Sequence, residues 1–288
     1  MFCATDRMLI RILLFNMSYQ KQEIGITIDS ISPLRDIYQI VVSDIDYWND
    51  TGVVLETIDA LTGKLESAIL QSDWVYVYDK LNYEVAYLLR AVLKTLFAKS
   101  APVLKNWIWE ENKIALRERY PDIYKQLMEV DCNEEKRFVR SYGLRGSVVY
   151  RKNEQIEYDL YSSYDPEAFG ALVGQELGLE KFKKWYILGF HGAYDCSGVY
   201  WRMRKVNIEI YVVNIAEFKL ILQNTLRKGF LLNPDVEWRF HLKLQDFFNN
   251  IDLSAKDDSY IYVTEYAKEE LPYIREFIKK NALNSNIG

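Results

Sequence analysis

The sequence is short of the two residues that most often interrupt regular secondary structure. Among 288 residues there are 13 glycines and 6 prolines, about half of the roughly 12% that average usage would give. Proteins that hold phosphate groups with backbone amides depend on glycine-rich loops. The scarcity of glycine therefore disfavours a nucleotide-binding α/β fold and predicts long regular elements joined by few elaborate loops.

Cysteine, histidine and basic runs are scarce as well. The three cysteines, Cys3, Cys132 and Cys196, form no CxxC pair, which argues against a disulfide framework and a zinc cluster. We therefore expect a reduced, cytoplasmic protein without a cofactor. The formal charge is -5, no segment is rich in lysine and arginine, and direct binding to nucleic acid is not expected, because it requires many phosphates to be neutralised.

A long hydrophobic run is missing too. The apolar stretch at residues 8–15 is interrupted by Arg11, lacks a small-residue cleavage site and is too short to cross a bilayer. We interpret it as a strand rather than a membrane segment or a signal peptide. Met17 is an alternative start of the chain.

Periodic apolar residues predict helices in the first half. Spacings of three and four indicate one helix over residues 54–69 and another over residues 81–96. Pro102 is expected to end the second helix, and Pro121 to begin a later short one. Strands are predicted before these helices at residues 8–15, 23–29 and 38–43.

The second half is rich in β-branched and aromatic residues. Residues 147–163 are typical of a hairpin, and Asn214 with Glu217 predicts a capped helix. Residues 235–250 are aromatic but less regular. Further strands are predicted at residues 184–190, 198–204, 206–214 and 259–266, followed by a last helix that runs through Ile278.

These elements predict an α+β fold. Its N-terminal strands and an antiparallel helical layer would be followed by a mainly antiparallel sheet with flanking helices. The polar residues 131–137 divide the chain into a strand and helical region at residues 1–130 and a sheet region at residues 138–288, although both could form one domain.

The stretch GFHGAYDCSGVYW at residues 189–201 gathers reactive and aromatic side chains. A thiolate of Cys196, activated by His191 or His241, is one interpretation, but it requires a base or a helix N-terminus in contact with the sulfur. The sequence shows neither contact, so it identifies no catalytic residue.

Turn chemistry gives the same stretch a second interpretation. Four of its residues are typical of tight turns: Gly192, Asp195, Ser197 and Gly198. They predict a β-hairpin tip between residues 184–190 and 198–204. Such a tip is a good place for contact with a partner, because tyrosine and tryptophan are enriched at protein interfaces. The predicted binding residues are Tyr194, Asp195, Tyr200 and Trp201.

Asp44 and Asp46 form the other candidate site. Two carboxylates at i and i+2 on a strand project to the same side and can share a divalent ion. Helix capping or a solvated strand end is the favoured explanation, so they are weak candidates for metal ligands only.

Three functions are compatible with the sequence. The first is a non-enzymatic protein that binds another protein, of the inhibitor, immunity or anti-defence type found in microbial and phage conflicts. Its partner could be a basic nucleic-acid-processing protein, because charge complementarity speeds association. The second is a metal-dependent enzyme that uses Asp44 and Asp46 on a phosphate-containing substrate. The third is a structural or assembly subunit that forms a homo-oligomer.

Overall fold

The protein divides into two compact units. A computed structural model describes residues 2–20, 26–43, 55–132, 137–141, 144–153, 156–159, 166–178, 181–190, 192–194, 206–264, 267–268, 271–281 and 283–285. The first unit comprises Met1–Leu104 with Ser141–Arg145, and the second comprises Lys105–Arg140 with Gly146–Gly288. The boundary falls inside a helix, and the polar residues 131–137 lie within the second unit.

Helices build the first unit. They are α1 (Phe2–Gln20), a 3-10 turn (Ile28–Ile31), α2 (Ser32–Ser43), α3 (Leu55–Leu70), α4 (Trp74–Asp79), a π-helical segment (Lys80–Val85) and the beginning of α5 (Ala86–Arg119). The predicted helix at residues 54–69 is confirmed, and Ile58, Leu61 and Leu65 on its apolar face are buried.

The predicted N-terminal strands are wrong. Residues 8–15 belong to α1 and residues 38–43 belong to α2, while the described part of residues 23–29 ends in the 3-10 turn. Met8, Ile12 and Phe15 are buried, and their spacing of four and three places them on one helical face. A short apolar run fits a strand and a buried helix equally well, and here packing inside a helical unit decided the outcome.

Pro102 does not end a helix, contrary to the prediction. It lies inside α5, which continues to Arg119. A proline inside a helix removes one hydrogen bond and costs about 3 kcal/mol. Leu96 and Leu104, which lie on either side of the proline, are both buried, and this packing favours continuation of the helix. Pro121, by contrast, begins α6 (Pro121–Met128) as predicted.

The second unit combines two sheets with helices. After the last part of α5 and α6 it contains β1 (Arg137–Ser141, whose last residue belongs to the first unit), β2 (Gly146–Asn153), β3 (Ile156–Asp159), α7 (Pro166–Glu176), β4 (Lys184–Leu188), β5 (Val206–Tyr211), α8 (Ile215–Asn224), α9 (Lys228–Leu231), β6 (Val236–His241), α10 (Leu244–Asn249), a 3-10 segment (Leu253–Asp258), β7 (Ser259–Val263) and α11 (Ile274–Lys280). The predicted mixture of helices and strands is therefore confirmed at this coarse level.

Two local predictions in this unit are confirmed. β2 and β3 pair antiparallel, with Tyr150 opposite Tyr158, as expected of the hairpin. The side chain of Asn214 accepts hydrogen bonds from the backbone N–H groups of Ala216 and Glu217, as expected of a helix cap.

The larger sheet is parallel, so the predicted antiparallel arrangement is wrong. Its strand order is β6-β5-β4-β7, and β4–β5, β4–β7 and β5–β6 all pair parallel. The chain returns from β5 to β6 through α8 and α9, and from β6 to β7 through α10. Helical crossovers of this kind bring successive strands back in the same direction.

Side chains of the larger sheet are buried on both faces. On one face Trp185 of β4 packs in a cluster with Phe218 of α8, and on the other Tyr186 of β4 packs in a cluster with Phe247 of α10. Helices on two faces and the order third-second-first-fourth along the chain are the features of a doubly wound α/β sheet. Among the described helices, none combines the length and apolar character needed to cross a membrane.

Candidate functional site at the carboxyl edge of the parallel sheet

The strand order reverses at β4. β5 and β6 follow on one side of β4, and β7 lies on the other. In doubly wound sheets the crevice outside the carboxyl ends of the strands, at the point of reversal, is the usual place for a ligand. The stretch at residues 189–201 begins directly after Leu188, so the chain enters it at this position.

The predicted hairpin at residues 189–201 is wrong for its first strand. Both edges of Lys184–Leu188 are already paired, one with β5 and the other with β7. No edge of β4 is therefore open to residues 198–204. Glycines suit the turn of a hairpin and the start of a crossover equally well, which explains why turn residues alone could not distinguish the two.

A threonine at the end of β7 closes the carboxyl end of β4. The backbone N–H and the hydroxyl of Thr264 both donate to the carbonyl of Leu188, at 3.0 and 2.9 Å. Gly189 follows with a φ of +90°, and its N–H donates to the carbonyl of Tyr211 of β5. A Cβ at Gly189 would lie 2.1 Å from Oγ1 of Thr264. This junction therefore requires glycine.

Tyr194 is buried, so its predicted role in direct contact with a partner is corrected. None of its surface is exposed, and its hydroxyl donates to the carbonyl of Gly146 at 2.7 Å. Its Cβ also abuts Gly170 in α7, where an added Cβ would lie 2.4 Å away. Tyr194 therefore anchors the loop after β4. The other predicted binding residues, Asp195, Tyr200 and Trp201, lie outside the described residues, as do His191 and Cys196.

A buried carboxylate on β5 forms the centre of a charged cluster. Glu209 is 2% exposed, and its Oε2 lies 2.6 Å from Nε2 of His241 at the end of β6. Nη1 of Arg239 and Nζ of Lys184 lie 3.5 and 3.9 Å from Oε1. Two cations and a histidine thus compensate one carboxylate that the sheet removes from water.

The carboxylate of Glu209 orients the ring of His241. A histidine held at one ring nitrogen by a carboxylate has a fixed ring orientation, and its other nitrogen can bind a ligand. Nucleophilic catalysis would also need an activated hydroxyl or thiol within reach of the histidine. Among the described residues that line the adjacent groove there is no serine, threonine or cysteine.

A groove of about 660 Å³ runs beside β6. Its walls are the end of α5, the first turns of α6 and residues 237–243. The lining charges are mixed: Arg119, Arg239 and Lys243 are basic, while Asp122, Glu237 and Asp246 are acidic. A groove of this composition suits a polar partner that carries both signs of charge, and it does not form a basic track for nucleic acid.

Tyr120 in the wall of this groove provides a prediction of pH dependence. Its hydroxyl lies 3.4 Å from the carbonyl of Leu231, and burial raises the pKa of Tyr120 to about 12. Because the folded-state pKa exceeds the unfolded value of about 10, the stabilising contribution is complete below pH 10 and is lost as the pH rises towards 12. Chemical denaturation between pH 10 and pH 12 should show a steeper loss of stability for the wild type than for Tyr120→Phe. Equal slopes would contradict the assignment.

The candidate metal ligands Asp44 and Asp46 lie outside the described residues. Within the described ranges, no group of three or more histidine, cysteine, aspartate and glutamate side chains is placed to hold a metal ion. The proposed carboxylate site therefore remains a prediction from sequence.

Sequence reasoning missed the charged cluster and the edge strand beside it. Residues 235–250 carry no regular pattern in the sequence, yet they contain β6. Glu209 lies in the strand predicted at residues 206–214, but the sequence does not show that α10 packs against β5 or that this side chain is buried. The signal in the sequence was the uninterrupted run of apolar and aromatic residues at Trp185–Leu188, all four of which are buried. Such a run is typical of a strand in a parallel sheet that is covered on both faces.

Comparison with protein-family models, curated proteins and solved structures gives no significant match. The function of this chain therefore has to be inferred from the geometry of its own residues.

Proposed function

We propose that this protein binds another protein by accepting an extended segment along β6. The observation that carries the proposal is the open edge of β6, which faces the groove beside it. A sheet edge offers a row of backbone donors and acceptors to which a partner strand can pair. The proposal keeps the class of function expected from the sequence, a binding protein of the inhibitor or immunity type, and assigns it a surface.

The two outer strands of the larger sheet, β6 and β7, differ in whether another segment of the chain covers them. At the other end, the chain covers β7 with its own C-terminal segment: the N–H of Ile261 donates to the carbonyl of Asn284 at 2.8 Å, and Ile261 forms a parallel bridge with Ser285. Among the described residues no strand pairs with the outer side of β6. Of the two ends, β6 is therefore the one that can accept a partner strand.

The register identifies the backbone groups that face the groove. The carbonyl of His241 accepts from the N–H of Val212, which continues β5, so the backbone groups of His241 point towards β5. In a parallel ladder successive residues point to alternate sides. The N–H and C=O groups of Trp238 and Phe240 consequently point outwards. Their aromatic side chains pack in the core and hold this strand in place.

The charges also suit a protein partner. Glu237 and Arg239 are both exposed and form an ion pair, with Nε of Arg239 3.0 Å from Oε1 of Glu237. Charged side chains on an edge strand discourage pairing with arbitrary strands, so a partner has to present charges in a matching order. The net charge of -5 favours the approach of a basic protein.

Filling the groove tests the proposal. Gln126 is exposed on α6 and lines the groove, whereas Met128 on the same helix is exposed and does not. We expect Gln126→Trp to reduce capture of the partner from native host extract by about tenfold, which corresponds to about 1.4 kcal/mol. Met128→Trp, the matched control, should retain capture, and both variants should keep the wild-type melting temperature.

Amide hydrogen exchange locates the contact. In the purified complex the amides of Trp238 and Phe240 should exchange more slowly than in the isolated protein, because a partner strand protects them. Equal capture by the two tryptophan variants, unchanged exchange along β6, or recovery of no protein other than this chain would each overturn the proposal.

A further inference from the structure

Arg227 is a buried arginine in the second unit, where it lies between α8 and α9. It is only 3% exposed. Its backbone N–H donates to Oδ1 of Asn112 at 2.7 Å, and Nδ2 of Asn112 donates to the carbonyls of Leu222 and Thr225 at 2.6 Å each. The buried amide of Asn112 therefore fixes the backbone that carries the arginine.

One edge of the guanidinium contacts a carboxylate. Nη1 of Arg227 lies 3.4 Å from Oε2 of Glu167 in the first turn of α7, and Glu167 is itself 2% exposed. The guanidinium carbon lies 4.2 Å from the ring centroid of Tyr194 and 4.9 Å from that of Phe230. Cation–π contact with two aromatic rings adds to the ion pair and restricts the orientation of the guanidinium plane.

The opposite edge of the guanidinium has no acceptor among the residues that the structure describes. Nε and Nη2 are both buried, and neither donates a hydrogen bond to any described residue. The N–H groups on these two nitrogens lie side by side in one plane, with a spacing that matches the two oxygens of a carboxylate or phosphate group. Buried donors are nearly always paired, and a buried donor without a partner commonly marks a missing ligand or water.

We propose that the Nε–Nη2 edge of Arg227 binds an oxyanion, either a carboxylate or a phosphate group. Two oxygens of the ligand accept the two N–H groups in the guanidinium plane, while Glu167 remains on Nη1. This site is separate from the groove beside β6, which no residue of the Arg227 cluster lines. Tyr194 connects it to the loop that begins at Gly189.

Nuclear magnetic resonance of the wild-type protein tests the proposal directly. The ¹⁵N–¹H signal of the Arg227 side chain, assigned by its absence from the Arg227→Lys spectrum, is followed while inorganic phosphate or acetate is added. We expect a saturable shift of this signal and slower exchange of the Nε proton with water. Sodium chloride at matched ionic strength should leave it unchanged. The tighter of the two oxyanions identifies the ligand class as phosphate or carboxylate.

Two variants separate a bidentate site from simple attraction to positive charge. Arg227→Lys keeps the charge but loses the planar pair of donors, and we expect its affinity for the tighter oxyanion to fall at least about tenfold, as measured by calorimetry. Arg275→Lys, at an exposed arginine on α11, is the matched control and should bind as the wild type does. If Arg227→Lys does not fold, the Arg227 side-chain signal is assigned from the spectrum of Arg227→Gln. The titration of the wild-type protein then decides whether an oxyanion binds. An unchanged Nε signal, or equal shifts with chloride, would show that water or no ligand occupies this edge and would overturn the proposal.

Discussion

Replacement of Gly189 by alanine is expected to lower the free energy of unfolding of the second unit by about 2–5 kcal/mol. Two effects add up: a φ of +90° is strained for any residue with a Cβ, and the new methyl group would lie 2.1 Å from Oγ1 of Thr264. Thr264 could relieve the clash only by giving up its hydrogen bond to the carbonyl of Leu188. Chemical denaturation monitored by fluorescence of the buried Trp185 and Trp238 measures the loss.

Two further variants distinguish strain from steric clash. Gly229→Ala is the matched control, because an added Cβ there has no neighbour within 4 Å, and we expect a change within about 0.5 kcal/mol. The double variant Gly189→Ala with Thr264→Ala removes the 2.1 Å clash with Oγ1, leaves only the Cβ of residue 264 at 3.2 Å and keeps the backbone strain. It should therefore be less destabilised than the sum of the two single variants. Strict additivity would show that the two residues do not interact.

Replacement of Glu167 by alanine is expected to destabilise the second unit by about 3–5 kcal/mol. Both members of the Glu167–Arg227 pair are almost fully buried, and removal of one member leaves a charge in a low-dielectric environment without its counter-ion. The free energy of unfolding from urea denaturation measures the effect. A loss below about 1 kcal/mol would contradict the burial of this pair.

A double-mutant cycle isolates the interaction of Glu167 with Arg227. Glu167→Ala combined with Arg227→Met removes both charges and retains an apolar chain between the rings of Tyr194 and Phe230. We expect the double variant to be more stable than the sum of the two single changes, because neither charge is then buried alone. As a surface control, Lys125→Ala in the exposed pair with Asp122 should change stability by less than about 0.5 kcal/mol.

Local sequence patterns were sufficient for elements whose cause is local. The helix at Leu55–Leu70 follows from apolar residues spaced by three and four, and the start of α8 follows from the side chain of Asn214, which caps it. The β2–β3 hairpin follows from β-branched residues on both sides of a polar turn. In each case the interacting residues are close in sequence, so the pattern contains the physical cause.

Patterns with two structural solutions were decided by packing. Residues 8–15 and 38–43 fit a strand as well as a helix, and Pro102 would have ended an isolated helix. The buried neighbours of the first unit select helices in all three places. Burial of apolar side chains outweighs the local preference because several such contacts together exceed the cost of one lost hydrogen bond.

The candidate sites depend on contacts between residues that are distant in sequence. Glu209 and His241 are 32 residues apart and meet through the parallel register of β5 and β6, while Glu167 and Arg227 are 60 residues apart. The sequence shows that each of these four side chains can carry a charge, but it does not show which of them lie in contact.

The sequence alone thus determined some of the elements: the helix at Leu55–Leu70, the cap at Asn214 and the β2–β3 hairpin. It also determined the scarcity of glycine and the acidic net charge of the chain. Only the tertiary structure decided that the four strands β4–β7 run parallel, that Tyr194 is an internal anchor, and that β6 has no described strand on its outer side. The physical reason is that helix periodicity and capping act between near neighbours, whereas strand direction, burial and charge pairing are set by crossover connections and by the packing of both faces of the sheet.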